Sequence, residues 1–103
     1  MTTATVSVMF TDLVGSTELM SRVGPERADE LRRQHFAALR SAIAGRGREI
    51  KNLGDGLMVV FDSVLAGLSC AVAMQQAVER RNRKEGGDAL AILAVAAPCI
   101  FFG

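Results

Sequence analysis

Phe10-Thr11-Asp12-Leu13-Val14-Gly15-Ser16-Thr17 is the stretch that decides the fold of this chain. An apolar, β-prone run from Val6 to Phe10 leads into it, and a helical pattern follows it. A strand that ends in a carboxylate, followed by a glycine turn and a helix, is a common way to build a metal and phosphate site. Glycine allows the tight turn, and a helix start presents free N–H groups. The alternative is that Asp12 only satisfies backbone donors in an ordinary turn.

A second carboxylate lies in a turn between two short apolar segments. Lys51-Asn52-Leu53-Gly54-Asp55-Gly56 ends a predicted strand over 49–53 and precedes another over 57–61, and a Gly-Asp-Gly segment between strands first indicates a hairpin. Both Asp12 and Asp55 end segments that can be neighbours in one sheet. Two close carboxylates repel each other unless a cation lies between them, and such oxygen ligands suit Mg²⁺ or Mn²⁺ with substrate phosphates.

The remaining pattern predicts the element order β-α-α-β-β-α-β. We expect a first strand over 4–10, a short helix over 18–22 capped by Ser16 or Thr17, and a helix that starts at Pro25 and stops before Gly45. An Asp62-Ser63 cap then precedes a long helix over 64–83, and Gly86-Gly87 separates it from a last strand over 90–95. This is the ferredoxin-like plan of the α/β (α+β) class, an antiparallel sheet with helices on one face.

The apolar spacing also predicts which helix faces are buried. In the first two helices the expected core positions are Met20, Leu31, Phe36, Leu39 and Ile43, with the arginines between them on a solvated face. His35, the only histidine, is expected on a helix face without a catalytic role. In the long helix the inner side is expected to follow Leu65, Leu68, Val72, Gln75 or Gln76, and Val78 or Glu79, and the basic end Arg80-Arg81-Asn82-Arg83-Lys84 is expected to be solvated.

Composition limits the classes of function. The chain has 103 residues, half of them hydrophobic, with a formal net charge of +1, which fits one small domain and gives no basic excess for nucleic acid or an anionic membrane. The N-terminus lacks the basic start of a signal peptide. The two cysteines, Cys70 and Cys99, have no metal spacing, so a reduced, cytoplasmic protein is the simplest interpretation.

The two motifs, in this order and at this separation, resemble the class III adenylyl/guanylyl cyclase catalytic domain over residues 4 to about 92, roughly its first half. The resemblance implies two Mg²⁺ or Mn²⁺ ions held by Asp12, Asp55 and the Leu13 carbonyl, in a reaction that converts ATP to cyclic AMP and pyrophosphate. It implies that the backbone of Val14, Gly15, Ser16 and Thr17 lines the triphosphate and that Lys51 reads the purine, as in adenylyl cyclases. In the family the site forms across a head-to-tail homodimer.

The second half of the family pattern is absent from this sequence, including the Asn and Arg that stabilise the transition state. We therefore expect residues 1–95 to be the first half of a cyclase domain and residues 96–103 to be an apolar tail outside the family pattern, such as a frame change near Ile92 would produce. The expected function is that of a truncated adenylyl cyclase domain that binds ATP weakly, turns it over little or not at all, and self-associates through the tail and the surface normally covered by the missing half.

Three alternatives are weighed against this interpretation. The first is a non-catalytic nucleotide-binding or metal-binding remnant that self-associates or pairs with intact cyclases. The second is a receiver-type phosphoacceptor, which is disfavoured because residues 49–61 indicate a hairpin rather than alternating parallel units and because no late lysine follows. The third is a diguanylate cyclase, which is disfavoured because its Gly-Gly-Glu-type turn is not present.

Overall fold

The described residues form seven elements in the predicted order. The structure is a computed structural model that describes the backbone of residues 3–85 and 92–102 and the side chains of residues 6–84. The strands are β1 (Thr3–Leu13), β2 (Arg48–Asn52), β3 (Leu57–Phe61) and β4 (Ile92–Phe102). The helices are α1 (Ser16–Val23), α2 (Pro25–Ile43) and α3 (Val64–Glu85). The βααββαβ order and the mixed α+β class are confirmed.

The four strands form one antiparallel sheet in the order β2-β3-β1-β4. The β2–β3 hairpin therefore lies beside β1, as the ferredoxin-like plan requires, and Phe10 of β1 pairs with Met58 of β3. Met58 also pairs with Lys51 of β2, which lies on the side of β3 opposite β1. The β2–β3 register shifts between Glu49 and Lys51. One row across the sheet thus contains Lys51, Met58 and Phe10.

The core lies between one face of the sheet and the helices. Along β1, Met9, Thr11 and Leu13 are buried, whereas Phe10 and Asp12 between them are exposed, because successive strand residues point to opposite faces. Met9 and Leu13 belong to one apolar cluster with residues of β3 and with helix residues that include Leu19, Leu31, Phe36, Leu39, Ile43, Cys70 and Met74. The predicted core of α2 is confirmed, but Met20 is 42% exposed, so its assignment to the core is wrong.

The side of helix α3 that faces the sheet agrees only in part with the predicted one. Leu65, Leu68 and Val72 are 76%, 59% and 50% exposed, so they lie on the outer side of the helix. The inner side carries Gly67, Cys70, Met74, Ala77 and Val78. Of the predicted positions Val78 is therefore confirmed, whereas Gln75, Gln76 and Glu79 are exposed. A Cβ on Gly67 would lie 2.6 Å from Ser7 Oγ, which shows how closely this side of the helix approaches β1.

The first and last strands are longer than predicted. The strand β1 continues through Asp12 to Leu13, and β4 continues to Phe102, so residues 96–102 extend a strand that pairs with β1 along its whole length. Pro98 is tolerated there because β4 is an edge strand and proline has no N–H to donate. The predicted strand start at Leu90 and the Gly86-Gly87 stop lie outside the described residues. In the part of the chain described, no helix is long and apolar enough to cross a membrane.

Candidate functional site

The end of β1 is tied to the β2–β3 turn by two hydrogen bonds. The backbone N–H of Leu13 donates to the backbone carbonyl of Asp55 at 2.9 Å. The backbone N–H of Leu57 donates to the buried Thr11 Oγ1, also at 2.9 Å. These bonds place Asp12, which lies between Thr11 and Leu13, beside the turn that carries Asp55.

The turn itself is shaped by its two glycines. Gly54 has a φ of 99°, a conformation that L side chains rarely adopt, and its N–H donates to Asn52 Oδ1 at 2.8 Å. Gly56 packs directly against β1, because a Cβ at this position would lie 1.7 Å from the carbonyl oxygen of Thr11. The Gly-Asp-Gly pattern thus lets Asp55 approach β1 as closely as it does.

The two carboxylates have different surroundings. Asp12 is exposed and lies on the open face of the sheet, the face opposite the helices. Asp55 is half-buried, and both its carboxylate oxygens have partners. Oδ2 accepts a hydrogen bond from the Ser16 hydroxyl at 2.9 Å, and Oδ1 accepts one from Arg32 Nε at 3.1 Å.

The start of α1 differs from the predicted cap. The helix begins at Ser16, and the capping position is Gly15 in the left-handed conformation, with φ 68° and ψ 31°. Among the described residues no side chain caps this end, so the prediction that Ser16 or Thr17 caps the helix is wrong. The physical reason is that the Ser16 hydroxyl bonds to Asp55 instead of to its own helix. By contrast, Ser63 caps α3 as predicted, since its Oγ accepts from the N–H of Ala66 at 3.0 Å.

Lys51 lies to one side of the two carboxylates. It is exposed and pairs with Met58, so its side chain points to the same open face of the sheet as those of Phe10 and Asp12. The structure therefore brings Asp12, Asp55, Gly15 and Ser16 together at one end of β1, and it places Lys51 two strands away on the same face.

Sequence reasoning missed one residue of this site, Arg32 of α2. The apolar spacing predicts a solvated Arg32, but its side chain is only 22% exposed and forms an ion pair with Asp55 across 23 positions of sequence. No local pattern indicates such a contact, because it depends on how α2 packs against the sheet. Arg81 is also not purely solvated, since its Nε and Nη2 donate to Gln34 Oε1 at 3.0 and 2.8 Å.

His35, also on α2, is fully buried beneath the sheet. Within the described residues neither of its ring nitrogens has a hydrogen-bond partner. Burial lowers its pKa from 6.5 to about 4, while the charge of Asp12 acts in the opposite direction and that of Arg81 in the same direction. The residue is therefore neutral at pH 7.

Known proteins resemble this chain in sequence and in fold. The sequence profile of the family described as the adenylate and guanylate cyclase catalytic domain matches residues 1–86. Serine/threonine-protein kinase pkn2 of Myxococcus xanthus is 37% identical over 79 residues, which are 76% of this chain and 10% of that protein. Putative adenylate cyclase 3 of Rhizobium meliloti (strain 1021) is 31% identical over 91 residues, which are 86% of this chain and 15% of that protein.

Solved structures show the same arrangement of elements. The guanylyl cyclase Cya2 superposes with a TM-score of 0.82 at 21% identity, and the match covers 96% of this chain and 56% of that one. This chain therefore spans about half of that solved structure and a small part of the curated relatives. At this identity the structural likeness concerns the fold alone.

Proposed function

Because the chain belongs to the adenylate and guanylate cyclase catalytic domain family, we propose that it carries the metal-binding half of a nucleotide cyclase site, with ATP as its nucleotide. The observation that carries the proposal is the juxtaposition of Asp12 and Asp55, which the hydrogen bond from Leu13 N to Asp55 O holds on adjacent segments. The position of Lys51 on the same sheet face supports ATP over GTP, through the resemblance of Lys51 to the purine-reading lysine of adenylyl cyclases.

The residues present fit a divalent cation. The Asp12 and Asp55 carboxylates and the Leu13 carbonyl would supply oxygen donors only, the kind of ligand that Mg²⁺ and Mn²⁺ prefer. Asp55 already attracts a positive group, the Arg32 guanidinium, to one of its oxygens. Among the described residues no group of three or more His, Cys, Asp or Glu side chains could hold a metal ion alone, so phosphate oxygens would have to complete the coordination.

Each residue then has a defined task. Asp12 and Asp55 would hold the cation, whose chemistry when bound is to neutralise phosphate charge and to activate the ribose 3′-hydroxyl. The backbone from Val14 to Thr17 would line the triphosphate. Helix α1 favours this task because its first-turn N–H groups follow a glycine rather than a side-chain cap. Ser16 would orient Asp55 through its 2.9 Å hydrogen bond.

Calorimetry with Mn²⁺ on the full chain tests the metal site. We expect weak binding that Asp12→Asn and Asp55→Asn abolish, because each removes one of the two carboxylates. Asp62→Asn is the matched control, since Asp62 is an exposed aspartate that follows β3 at the opposite end of that strand. Equal binding by wild type and Asp12→Asn would refute the metal site.

A second candidate function is a non-catalytic nucleotide-binding or interaction module that pairs with intact cyclases. It is favoured by the sequence after α3, because residues 86–103 contain no Asn, Arg or Lys that could stabilise charge on a transferring phosphoryl group. Removing one such stabilising group from a comparable site typically slows the reaction by about a hundredfold or more.

We therefore predict that the isolated chain makes little or no cyclic AMP from ATP and Mn²⁺. The measurement is cyclic AMP formation by the wild-type chain and by Asp12→Ala at the same protein concentration. We expect both samples to form cyclic AMP only at or near the background level. Robust turnover that disappears in Asp12→Ala would contradict this prediction and would favour the catalytic function over the binding module.

A further inference from the structure

The side chain of Arg32 reaches from α2 to the proposed metal site. Its Nε donates to Asp55 Oδ1 at 3.1 Å, and its Nη1 donates to Asp29 Oδ1 at 2.8 Å. The guanidinium thus bridges a carboxylate of its own helix and the carboxylate of the β2–β3 turn. Because Asp29 is one turn earlier on α2, it holds the guanidinium in the orientation that presents Nε to Asp55.

The contact uses the one oxygen of Asp55 that Ser16 leaves available. Ser16 Oγ bonds to Oδ2, and Arg32 bonds to Oδ1. A cation that coordinates Asp55 through Oδ1 meets the positive guanidinium at the same atom. Two positive groups near one carboxylate oxygen disfavour each other, and the partly buried position of Arg32 weakens the screening by water.

We propose that Arg32 is a built-in counter-ion that competes with the divalent cation for Asp55. Without metal it neutralises Asp55 beside Asp12 and keeps the turn in place, and metal binding displaces it from Oδ1. Arg32 thereby lowers the affinity of the site for the cation. This inference rests on the proposed metal site and adds to it a residue that sets the metal affinity.

Mn²⁺ calorimetry on the full chain tests the competition through Arg32→Gln, which removes the charge. We expect this variant to bind Mn²⁺ about three- to tenfold more tightly, in line with the effect of one partly screened charge. Arg32→Lys keeps the charge but not the guanidinium that bridges Asp29 and Asp55, so its Mn²⁺ affinity should lie between those of wild type and Arg32→Gln. Arg33→Gln is the matched control, because Arg33 is 70% exposed and pairs with Glu30 on the outer side of α2, so its Mn²⁺ affinity should not change.

Thermal unfolding provides a second measurement that does not depend on affinity alone. In EDTA, Arg32→Gln should unfold at a lower temperature than wild type, because Asp55 loses its counter-ion. Saturating Mn²⁺ should raise the midpoint of the variant by more than that of wild type. If Arg32→Gln does not fold in EDTA, Arg32→Met, which keeps the apolar stem without the charge, replaces it in both measurements.

The outcomes separate this inference from the proposed function. Unchanged or weaker Mn²⁺ binding by Arg32→Gln, with binding still abolished by Asp12→Asn, would overturn the competition and leave the metal site intact. Absence of Mn²⁺ binding in wild type and in both neutral Arg32 variants would overturn both proposals.

Discussion

At the scale of single residues, Gly56 sets how closely the Asp55 turn approaches β1. A side chain there would collide with backbone, since its Cβ would lie 1.7 Å from Thr11 O, and backbone cannot move aside as a flexible side chain can. The sequence already indicated a glycine turn at this point. It could not show which glycine packs against β1, because that depends on the sheet pairing.

We predict that Gly56→Ala lowers the free energy of unfolding by about 3 kcal/mol and weakens Mn²⁺ binding, because the turn must move away from β1. The control is Gly54→Ala in the same turn, where no atom lies within 4 Å of an added Cβ and only the positive φ opposes the substitution. It should lower the free energy by about 1 kcal/mol. Urea denaturation of both variants makes the comparison, and equal losses would contradict the close-approach argument.

His35 makes a pH-dependent contribution to stability. Its folded pKa of about 4 lies below the unfolded value of 6.5, so the unfolded chain binds the proton more readily between these values. The free energy of unfolding should therefore be fully retained above pH 6.5 and fall by on the order of 3 kcal/mol as the pH decreases towards 4. Urea titrations from pH 7 to 4 measure this fall. His35→Leu should show a shallower fall, since this chain has no other histidine, and identical slopes would refute the assignment.

The sequence predicts that Asp12 and Asp55 lie near each other, and the structure places them on neighbouring segments. Their role as metal ligands stays a prediction. The proximity was predictable because each aspartate ends an apolar segment and the hairpin order places those ends side by side. The Arg32 ion pair and the burial of both His35 nitrogens were not predictable. Both depend on the angle at which α2 crosses the sheet, and that angle has no signature in helical spacing.

At the scale of elements, α3 shows why apolar spacing alone can select the wrong face. Its sequence offers two apolar sides, one with Leu65, Leu68 and Val72 and one with smaller residues around Gly67 and Cys70. The smaller side packs on the sheet because Gly67 allows the helix to approach Ser7, whose hydroxyl donates to the Ser63 carbonyl at 3.1 Å. The close approach of Gly67 to β1 therefore decides which side of α3 faces the sheet, and the larger apolar side chains remain exposed.

We predict that substitutions on the two sides of α3 have very different effects. Leu68→Gln on the exposed side should change the free energy of unfolding by no more than about 0.5 kcal/mol. Met74→Ala on the buried side should lower it by about 2–5 kcal/mol, because it leaves a cavity in the core. Chemical denaturation compares them, and a larger loss for Leu68→Gln would favour the originally predicted face.

At the scale of the whole molecule, the element order and the sheet order could be predicted from the sequence pattern, but the length of the last strand could not. The expectation was a strand that ends at Val95 with an apolar tail beyond it. The structure instead pairs residues 92–102 with Leu13 through Thr3 in one uninterrupted antiparallel register. The sequence could not show this, because an apolar run with a proline in it has no strand signal strong enough to fix its length. Whether residues 96–103 fall outside the family pattern stays a prediction.

This pairing changes the outcome that we expect for self-association. Among the described strands, β4 pairs with β1 alone, so its other edge presents backbone groups that no described strand pairs. The exposed apolar side chains of α3 form a second surface that favours association. We therefore predict that the full chain self-associates as its concentration rises.

A chain that ends at Ala96 should associate more strongly, because six β1 residues, Thr3 to Val8, then lose the partners they have in residues 97–102. Light scattering over a concentration series of both chains measures this. Association of the full chain that disappears on shortening would show that residues 97–103 are the contact surface rather than a cover for β1, and monomeric behaviour of both chains would contradict the prediction altogether.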